Sequence, residues 1–194
     1  MLIYVIRHGQ TDWNADGRLQ GQQDIPLNAL GREQATGNGV ALKALLGDSA
    51  SRFDFVSSPL GRTRETMERI RTAMGLDPLD YRTDDRLKEV SFGDWEGSTL
   101  AELSENAPER VEERHLAKWD FIPPGATAES YEILSWRIGA WLSSVDRPTV
   151  CVAHGGVIRA LFKLRTNMSS EAAATAETPQ DRILKLDDAG IDWL

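Results

Sequence analysis

Three short apolar runs divide the chain, at residues 2–6, 53–57 and 149–153. Each run is rich in β-branched or aromatic residues and is followed by turn residues and then by a helical spacing of apolar positions. The run 2–6 is apolar at every position, which is typical of a strand covered by helices on both faces. The pattern therefore predicts buried parallel strands that alternate with helices.

Two further segments are weaker strand candidates. Residues 80–83 contain no apolar stretch, whereas residues 182–186 alternate polar and apolar side chains. Because alternation indicates a strand with one wet face, we expect the second of these segments to lie at an edge of the sheet.

The helical pattern after the second apolar run has signals at both of its ends. Ser58 is placed to cap free amides, and Pro59 suits the first position of a helix. Gly75 follows Met74, and a glycine is a common residue just past a helix end. These signals predict a helix that starts at Ser58 and Pro59 and runs to Met74.

The segment 30–46 also has a helical pattern, with a capping residue at Asn28 and a stop at Gly47. Two interior glycines, Gly37 and Gly39, weaken this helix. The prediction of a helix here depends on its two end signals.

Two helical stretches occupy the second half of the chain. Residues 99–118 are charged and are expected to form two helices interrupted near Pro108. Residues 130–145 carry an apolar stripe on one face, which consists of Tyr131, Leu134, Ile138, Trp141 and Leu142. We expect this stripe to pack against the core.

The alternation of strands and helices predicts an α/β fold. The expected architecture is a three-layer sandwich in which a mainly parallel central sheet is flanked by helices. The sequence contains no internal repeat and no linker long enough to divide it. We therefore expect residues 1–194 to form a single domain.

The composition limits the classes of partner. The 194 residues are 41% hydrophobic, which is enough for one sizeable core, and carry a formal net charge of -8. This charge repels nucleic acid and anionic membranes at long range, so we expect neither as a partner. An anionic ligand therefore needs a local positive pocket. The sequence leaves the oligomeric state open.

Cysteine usage and the amino-terminal run bear on location. Cys151 is the only cysteine, so no intrachain disulfide is possible, and its apolar surroundings predict a buried, inert thiol. Residues 1–6 are too few for a signal-peptide core or a membrane span. We expect a cytoplasmic protein in a reducing compartment.

The polar residues with chemical potential follow the predicted strands. In open α/β sheets, the carboxyl ends of the strands form the cleft. The residues found there are Arg7, His8, Arg62, Glu89, His154 and Gly155. Two histidines, two arginines and one acid are therefore expected to converge in a single crevice.

This set of residues suits phosphoryl transfer. Two guanidinium groups can hold the oxygens of a phosphomonoester, and the helix amides after His154 can add donors at Gly155. A neutral imidazole at His8 can attack phosphorus and form a phosphohistidine. Glu89 is the best candidate to protonate the leaving oxygen and then to take a proton from water.

Five blocks of sequence then point to a known family. They are RHGQTDWN at 7–14, RLQGQQDIPLNALGREQA at 18–35, SSPLGRTRET at 57–66, LKEVSFGDWEG at 87–97 and VAHGGVIRAL at 152–161. Their order and content resemble the histidine phosphatase superfamily, the phosphoglycerate mutase-like proteins, and the phosphatase branch in particular.

The resemblance carries expectations for individual residues. It implies His8 as nucleophile and Glu89 as proton donor and acceptor. It also implies a phosphate pocket of Arg7, Arg62 and His154, and contacts to substrate or phosphate from Asn14, Gln20 and Gly21. The last three assignments come from the resemblance alone.

We expect a histidine acid-type phosphatase, a phosphoric monoester hydrolase that acts on a small phosphorylated metabolite with no metal and no cofactor. The segment after Glu89 contains no basic residue that would hold a substrate carboxylate, which disfavours a mutase. Arg110, Arg114 and Lys118 could still reach the site, so mutase-type phosphoryl transfer stays an alternative, as does a noncatalytic phosphate-binding or interaction module.

Several surroundings of the site are also expected from the sequence. Residues 94–124 are expected to supply the surface for the leaving group, and residues 168–181 the far side of the pocket. The arginines 64, 69 and 71 are expected to form a solvated helix face that pairs with Glu65 and Glu68. Asp84 and Asp85 are expected in a surface turn rather than in a metal site.

Overall fold

The first strand, β1 (Ile3–Arg7), is buried on both of its faces. The computed structural model describes residues 1–194. Ile3 and Val5 pack into one hydrophobic cluster, whereas Tyr4 and Ile6 pack into a second cluster on the opposite side of the sheet. This division follows from the two-residue period of a strand, and it explains why the run contains no polar position.

A six-stranded sheet runs through the middle of the molecule in the order β3-β2-β4-β1-β5-β6. The four strands β1, β4, β2 and β3 are mutually parallel, and β5 and β6 are antiparallel to their neighbours. Strands β2 to β6 are Asp54–Ser57, Arg82–Thr83, Thr149–Ala153, Ile183–Asp187 and Gly190–Trp193.

Helices cover both faces of this sheet, so the predicted three-layer α/β sandwich is confirmed. Helices α1 to α8 are Asp12–Ala15, Ala29–Leu46, Gly61–Met74, Leu100–Asn106, Pro108–Leu116, Tyr131–Ser143, Gly155–Arg165 and Ser170–Thr175. Short 3-10 turns lie at Gly47–Arg52, Asp85–Leu87 and Gly93–Trp95. Helices α2 and α3 cover one face, and α6, α7 and α8 cover the other.

The two weak strand predictions have different outcomes. Only Arg82–Thr83 of the segment 80–83 forms a strand, and it lies at one edge. The prediction that 182–186 is an edge strand is wrong, because β5 pairs with β1 on one side and with β6 on the other. The edge is instead β6, which a tight turn at Asp187–Gly190 folds back onto β5 and which the sequence analysis missed.

The predictions for the starts of α2 and α3 have different outcomes. The side chain of Asn28 accepts a hydrogen bond from the amide of Gly31 and caps α2, as expected. The predicted start at Ser58 and Pro59 is wrong, because α3 begins at Gly61 and no side chain caps it. Ser58 is used elsewhere, in a hydrogen bond to His154.

The remaining helical predictions are confirmed. Helices α4 and α5 are separate, with Pro108 at the start of the second one. The side chain of Ser130 caps α6 by accepting from the amide of Ile133. Four residues of the predicted stripe on α6 are buried, namely Tyr131, Leu134, Ile138 and Trp141, and Leu142 is partly buried beside them.

Arg71 corrects one expectation about the surface of α3. Its side chain is only 4% exposed, not solvated, and its guanidinium carbon lies 4.5 Å from the ring centroid of Phe55. Its Nε donates to the carbonyl of Asp77 at 2.6 Å. Arg69 does pair with Glu65, at 3.1 Å, as expected. The guanidinium of Arg71 is therefore part of the packing between α3 and β2.

Cys151 lies on β4 and is fully buried, as expected. Burial raises the pKa of its thiol, which disfavours the reactive thiolate. No helix in the structure combines the length and the apolar character that crossing a membrane requires.

Gly39 sets the distance between α2 and α3. A Cβ atom at this position would lie 2.7 Å from the carbonyl oxygen of Ile70 and 2.8 Å from its Cα, so no larger residue fits without backbone movement. Gly37, on the outer side of the same helix, would meet nothing within 4 Å. The two glycines that weaken the helix in isolation therefore have different roles.

This difference predicts opposite effects of one substitution at two sites. Gly39→Ala is expected to destabilise the protein by about 1–3 kcal/mol through overpacking of α2 against α3. Gly37→Ala, its matched control, is expected to stabilise by up to about 1 kcal/mol through helix propensity. Urea unfolding of both variants measures this, and an equal gain from both would contradict the packing argument.

Candidate active site

The functional residues converge because three parallel strands end at the same edge of the sheet. The amide of His8 donates to the carbonyl of Ala153 at 3.0 Å, and the amide of Ser58 donates to that of Val152 at 3.0 Å. The hydrogen bonding to β4 therefore continues one residue beyond the ends of β1 and β2. It holds the segments that carry His8, His154 and Ser58 side by side.

His8 is 3% exposed, and its neighbours define its protonation. Its Nδ1 lies 2.8 Å from the carbonyl oxygen of Gly9, which can only accept, so Nδ1 carries the proton. The Nε of Arg62 donates to Nε2 of His8 at 3.3 Å. Nε2 of His8 is therefore unprotonated, and its lone pair is the one that could attack an electrophile.

Arg62 is 1% exposed and is held by backbone carbonyls rather than by an acid. Its two terminal nitrogens donate to the carbonyl of Gln23 at 2.6 Å and to that of Gly21 at 2.8 Å. No carboxylate forms an ion pair with it. Its charge is therefore available to an anion in the site.

His154 is the second buried imidazole. Its Nδ1 lies 3.3 Å from a terminal nitrogen of Arg62, which can only donate, so Nε2 carries the proton and donates to the Oγ of Ser58 at 2.8 Å. The rings of His8 and His154 meet edge to face, with centroids 5.2 Å apart. Both imidazoles are thus held in a single tautomer.

Burial lowers the pKa of both His8 and His154 well below the usual value, and the nearby charge of Arg62 lowers each pKa further. A protonated imidazole would repel the guanidinium groups and would lose its hydration. The site therefore keeps both rings neutral under mildly acidic conditions.

Arg7 completes the cationic lining. One of its terminal nitrogens donates to the carbonyl of Thr178 at 2.8 Å and to the hydroxyl of Thr178 at 3.3 Å. Its Nε is buried without a partner in the protein. Burial lowers the pKa of Arg7 to about 10, and the negative charge of Glu89 partly opposes this shift. The guanidinium of Arg7 is therefore charged at neutral pH, and its Nε can donate to a ligand.

The carboxylate of Glu89 reaches the site through the space beside Gly156, which a residue with a side chain would occupy. One carboxylate oxygen accepts from the amide of Val90 at 2.9 Å, and the other accepts from the amide of Gly156 at 3.1 Å. A Cβ atom on Gly156 would lie 2.2 Å from the carboxylate of Glu89. Gly156, the second glycine of the HGG sequence, is therefore needed for the position of the acid.

Arg137 fixes the loop that carries this acid. Its guanidinium donates to three carbonyls, of Arg86 at 2.6 Å, of Lys88 at 2.6 Å and of Glu89 at 2.9 Å. It also forms an ion pair with Glu129 at 2.8 Å. Arg137 carries no signal in the sequence for this role, because it lies on the apolar helix α6 and no local pattern links it to Glu89.

Asn14 and Gln20 line the cavity, and the contact with substrate that the resemblance implies for them stays a prediction. Gln180, in the segment 168–181 that was expected at the far side of the pocket, orients Asn14. The Oδ1 of Asn14 accepts from the amide of Thr11 at 3.2 Å and from Nε2 of Gln180 at 3.0 Å. Nε2 of Gln180 also donates to the carbonyl of His8 at 3.0 Å. The Nδ2 donor of Asn14 has no partner in the protein and is left for a ligand.

Gly21 bends the loop at the cavity wall with a φ of 53°. A Cβ atom there would lie 1.9 Å from a carboxylate oxygen of Glu96, so the loop approaches that side chain closely. Glu96 in turn accepts from the amides of Gln22 at 3.0 Å and Phe92 at 3.1 Å. Glu96, which no motif singled out, therefore joins the two loops beside the pocket.

These residues enclose a cavity of about 120 Å³. Its lining consists of Arg7, His8, Asn14, Arg18, Leu19, Gln20, Gly21, Arg62, Glu89, Phe92, Tyr131, Gly155 and Arg159. All the predicted site residues except His154 line it directly, and His154 lies behind Arg62.

Residues 94–124 do not line this cavity, but Nζ of Lys118 lies 6.0 Å from the ring centroid of Tyr131, which does line it, so the leaving-group surface expected from this segment stays a prediction. Trp95 is instead buried against Phe121, with ring centroids 5.2 Å apart, and the carbonyl of Pro124 accepts from the amide of Asp94. The two ends of the segment pack on each other in this way, and Phe92, Tyr131 and Arg159 line the cavity. Residues 168–181 do reach the pocket, through Thr178 and Gln180.

No group of three or more His, Cys, Asp and Glu side chains is arranged to hold a metal ion. Asp84, considered as a ligand, forms an ion pair with Arg86 at 2.7 Å, and this hydrogen-bonded pair lowers the pKa of the carboxyl. A larger cavity, of about 600 Å³, lies beside Asp54, Arg71 and Arg82 and contains no histidine.

The fold and the site define a class of protein. Residues 3–189 match the model of the histidine phosphatase superfamily, branch 1. The chain belongs to this superfamily, in agreement with the two histidines and two arginines at the carboxyl edge of the sheet.

Two relatives within the superfamily have different names. The chain is 37% identical over 171 residues to a glucosyl-3-phosphoglycerate phosphatase of Mycobacterium tuberculosis, which covers 82% of this chain and 72% of that protein. It is 38% identical over 162 residues to a probable phosphoglycerate mutase of Shigella dysenteriae, which covers 79% of this chain and 69% of the other.

Among solved structures, the protein TTHB049 of Thermus thermophilus is similar, with a TM-score of 0.73 and 28% sequence identity. The match covers 99% of this chain and 97% of that one. The phosphoglycerate mutase-like fold is thus shared over almost the whole length.

The two neutral imidazoles predict a specific loss of stability in acid. The unfolded chain binds protons at these histidines below about pH 6.5, whereas the folded chain does not, so stability falls as the pH falls. Between pH 7.5 and 5.5 each buried imidazole is expected to remove about 1.4 kcal/mol from the free energy of unfolding.

Denaturant unfolding at the two pH values tests this with two variants. His154→Gln is expected to shrink the loss by about 1.4 kcal/mol, because one titrating group is gone. His115→Gln, at an exposed histidine, is expected to leave the loss unchanged. An identical loss in wild type and His154→Gln would show that His154 is protonated in the folded protein.

Proposed function

We propose that this protein is a metal-independent phosphomonoester hydrolase that acts through a phosphohistidine at His8. The observation that carries the proposal is the unprotonated Nε2 of His8, which accepts from the Nε of Arg62 at 3.3 Å in a cavity also lined by Arg7. Neither arginine has an acidic partner, so a phosphate dianion would satisfy both.

In the first step, Nε2 of His8 attacks phosphorus and the bond to the leaving oxygen breaks. Arg7, Arg62 and the Nδ2 of Asn14 stabilise the negative charge on the phosphoryl oxygens. The amino end of α7 at Gly155 adds a partial positive charge. Glu89 gives its proton to the leaving oxygen, so that an alcohol and not an alkoxide departs.

In the second step, the same carboxylate acts as a base. Glu89 takes a proton from water, the resulting hydroxide attacks the phosphohistidine, and inorganic phosphate leaves with Nε2 restored. Nδ1 keeps its proton throughout, because its bond to the carbonyl of Gly9 at 2.8 Å fixes the tautomer. The chemistry needs no metal, since guanidinium groups neutralise the phosphoryl charge.

The acid-type character is part of this proposal. Because burial and Arg62 lower the pKa of His8, the nucleophile stays neutral well below pH 6.5 in the free enzyme. The acidic limb of the kcat/KM profile is then not set by His8 protonation at its ordinary pKa.

A substrate among small phosphorylated metabolites agrees with the small cavity and with the phosphatase name of the mycobacterial relative. We place the protein in the cytoplasm, as one domain that binds neither nucleic acid nor membranes.

A mutase is the second candidate, because the Shigella relative carries that name. The guanidinium of Arg159, which lines the cavity, is also a cation of the kind that a mutase needs for a substrate carboxylate. A mutase returns the phosphoryl group to another oxygen of the substrate rather than to water. The absence of a basic residue between Val90 and Glu96 favours the hydrolase.

Replacement of the nucleophile tests the proposal. Phosphate release from 4-nitrophenyl phosphate, with chelator present, is expected to fall by at least about a thousand-fold in His8→Ala and to stay unchanged in His115→Ala. Mass spectrometry of acid-sensitive phosphorylation should place the phosphoryl group on His8. Isomerisation of a phosphoglycerate in a parallel assay, without release of phosphate, would indicate the mutase, and equal release from 4-nitrophenyl phosphate by His8→Ala would exclude the mechanism.

Replacement of the acid tests its two roles separately. In Glu89→Gln, the phosphorylation of His8 by an alkyl phosphate is expected to slow by about 100- to 10,000-fold, because an alkoxide needs a proton to leave. Phosphorylation by 4-nitrophenyl phosphate should slow far less, since nitrophenolate leaves unaided.

The second step of this variant should be slow with either ester, so rapid-quench measurements should show a burst of nitrophenolate followed by accumulation of phosphoenzyme. Glu33→Gln, at an exposed carboxylate on α2, is the control. Equal slowing of phosphorylation by both esters would remove Glu89 from the role of proton donor.

A further inference from the structure

The segment that carries Glu89 has little regular structure of its own. We call residues 86–91 the acid loop. After the 3-10 turn that ends at Leu87, residues 88–92 belong to neither a helix nor a strand. No ladder of backbone hydrogen bonds therefore sets the direction of the Glu89 side chain, and its position depends on contacts from other elements.

Arg137 on α6 makes most of these contacts and uses all of its donors to do so. A guanidinium has five N–H groups. Three donate to the carbonyls of the acid loop, and two donate to the carboxylate of Glu129, from Nε at 3.1 Å and from a terminal nitrogen at 2.8 Å. The only other side-chain donor to these carbonyls is Nε2 of Gln22, which reaches that of Glu89 at 3.1 Å. Arg137 has no N–H left for a substrate.

Glu129 holds the acid loop on the other side of Glu89. The carboxylate oxygen of Glu129 that bonds to Arg137 also accepts from the amide of Ser91 at 3.1 Å, and the amide of Glu129 donates to the carbonyl of Ser91 at 2.9 Å. The side chains of Arg137 and Glu129 are 19% and 18% exposed. Solvent therefore weakens this ion pair less than it weakens a surface pair.

The carboxylate of Glu89 follows any movement of the acid loop. Its two oxygens accept from the amides of Val90, in the loop itself, and of Gly156, on α7. A displaced loop would therefore move the carboxylate relative to Gly156 and to the leaving oxygen of a substrate. A misplacement of about 1 Å can cost about 100-fold in rate.

The phosphate pocket has separate supports. Arg62 is held by the carbonyls of Gly21 and Gln23, and Arg7 is held by Thr178. None of these contacts involves a residue of α6 or of the acid loop. We therefore expect a displaced acid loop to leave phosphate binding unchanged.

We propose that Arg137, together with Glu129, is a positioning residue for Glu89, and that its loss slows the two proton transfers while the phosphate pocket stays intact. The inference rests on the proposed function, because Glu89 is the proton donor and acceptor of that reaction. Arg137 does not line the cavity and acts on the substrate only through Glu89.

Two esters with different leaving groups test the proposal. In Arg137→Met, phosphorylation of His8 by an alkyl phosphate is expected to slow by about 10- to 100-fold. Phosphorylation by 4-nitrophenyl phosphate should slow less than about threefold, because nitrophenolate leaves unaided. The KM for 4-nitrophenyl phosphate should stay within about twofold of wild type. Arg69→Met, which breaks another Arg–Glu pair on α3, is the control and should match wild type in rapid-quench measurements.

Two milder variants refine the test and replace Arg137→Met if that protein does not fold. Arg137→Lys keeps the charge but not the planar fork, so it should slow the alkyl ester nearly as much. Glu129→Gln keeps the shape of the side chain and the carbonyl contacts of Arg137, and should slow the alkyl ester by about 3- to 10-fold. Equal slowing of both esters in these variants would overturn the proposal.

Combination with Glu89→Gln assigns the effect to the acid. In this background, Arg137→Met is expected to slow the alkyl ester less than about twofold further, because residues that act through one group are not additive. Losses that multiply would show that Arg137 acts on another part of the reaction, and would overturn the proposal.

Failure of the proposed function is distinguishable from failure of this inference. If Glu89→Gln slows both esters equally, the acid of the proposed mechanism is wrong, whatever Arg137 does. The amide resonance of Gly156 then tests the position of the carboxylate without turnover, by NMR. It is expected to shift in Arg137→Met in the same direction as in Glu89→Ala, because the amide loses its acceptor in both. A Gly156 resonance that Arg137→Met leaves unchanged would overturn the positioning role.

Discussion

The structure depends on the burial of two guanidinium groups and two neutral imidazoles at one edge of the sheet without an acid to pair with either arginine. Such a group of donors is unfavourable in a protein interior unless carbonyls or a ligand satisfy it. Backbone carbonyls at Gly21, Gln23 and Thr178 satisfy part of the demand. The Nε of Arg7 has no partner, and the unprotonated Nε2 of His8 accepts only from the Nε of Arg62, so these two atoms can interact with a substrate.

The surrounding structure can be understood as support for this arrangement. Parallel pairing of β1, β4 and β2 brings the two histidines together, and Arg137 holds the loop of Glu89 by three carbonyls. Gly156 leaves room for the acid between α7 and the sheet. The chemical groups are positioned by rigid elements, which is what preorganised electrostatic stabilisation requires.

The sequence was sufficient for the parts that local patterns encode. The apolar run of β1, the cap at Asn28 and the break at Pro108 were predicted because each depends on neighbouring residues alone. Motif resemblance extended this to Asn14, Gln20 and Gly21. Their location in the cavity agrees with the expectation, and their contact with substrate stays a prediction.

What the sequence did not reveal depends on contacts between distant segments. Arg137 and Gln180 act on residues 48 and 172 positions away, respectively, and carry no local signature. Strand β6 is short and half exposed, so its pattern is weak, and without it β5 was assigned to the edge. The burial of Arg71 was missed because a charged helix face is usually solvated.

The contact of Gln180 with the carbonyl of His8 has a consequence for how the protein comes to be active. The pocket combines two segments that are far apart in the sequence, since Arg7 and His8 contact Thr178 and Gln180. During synthesis, Arg7 and His8 emerge well before Thr178 and Gln180, so they lack these supports until the later segment has also left the ribosome. A chain interrupted between these two segments therefore exposes no finished phosphate pocket, and the ability to bind phosphate marks a chain in which both segments have folded together.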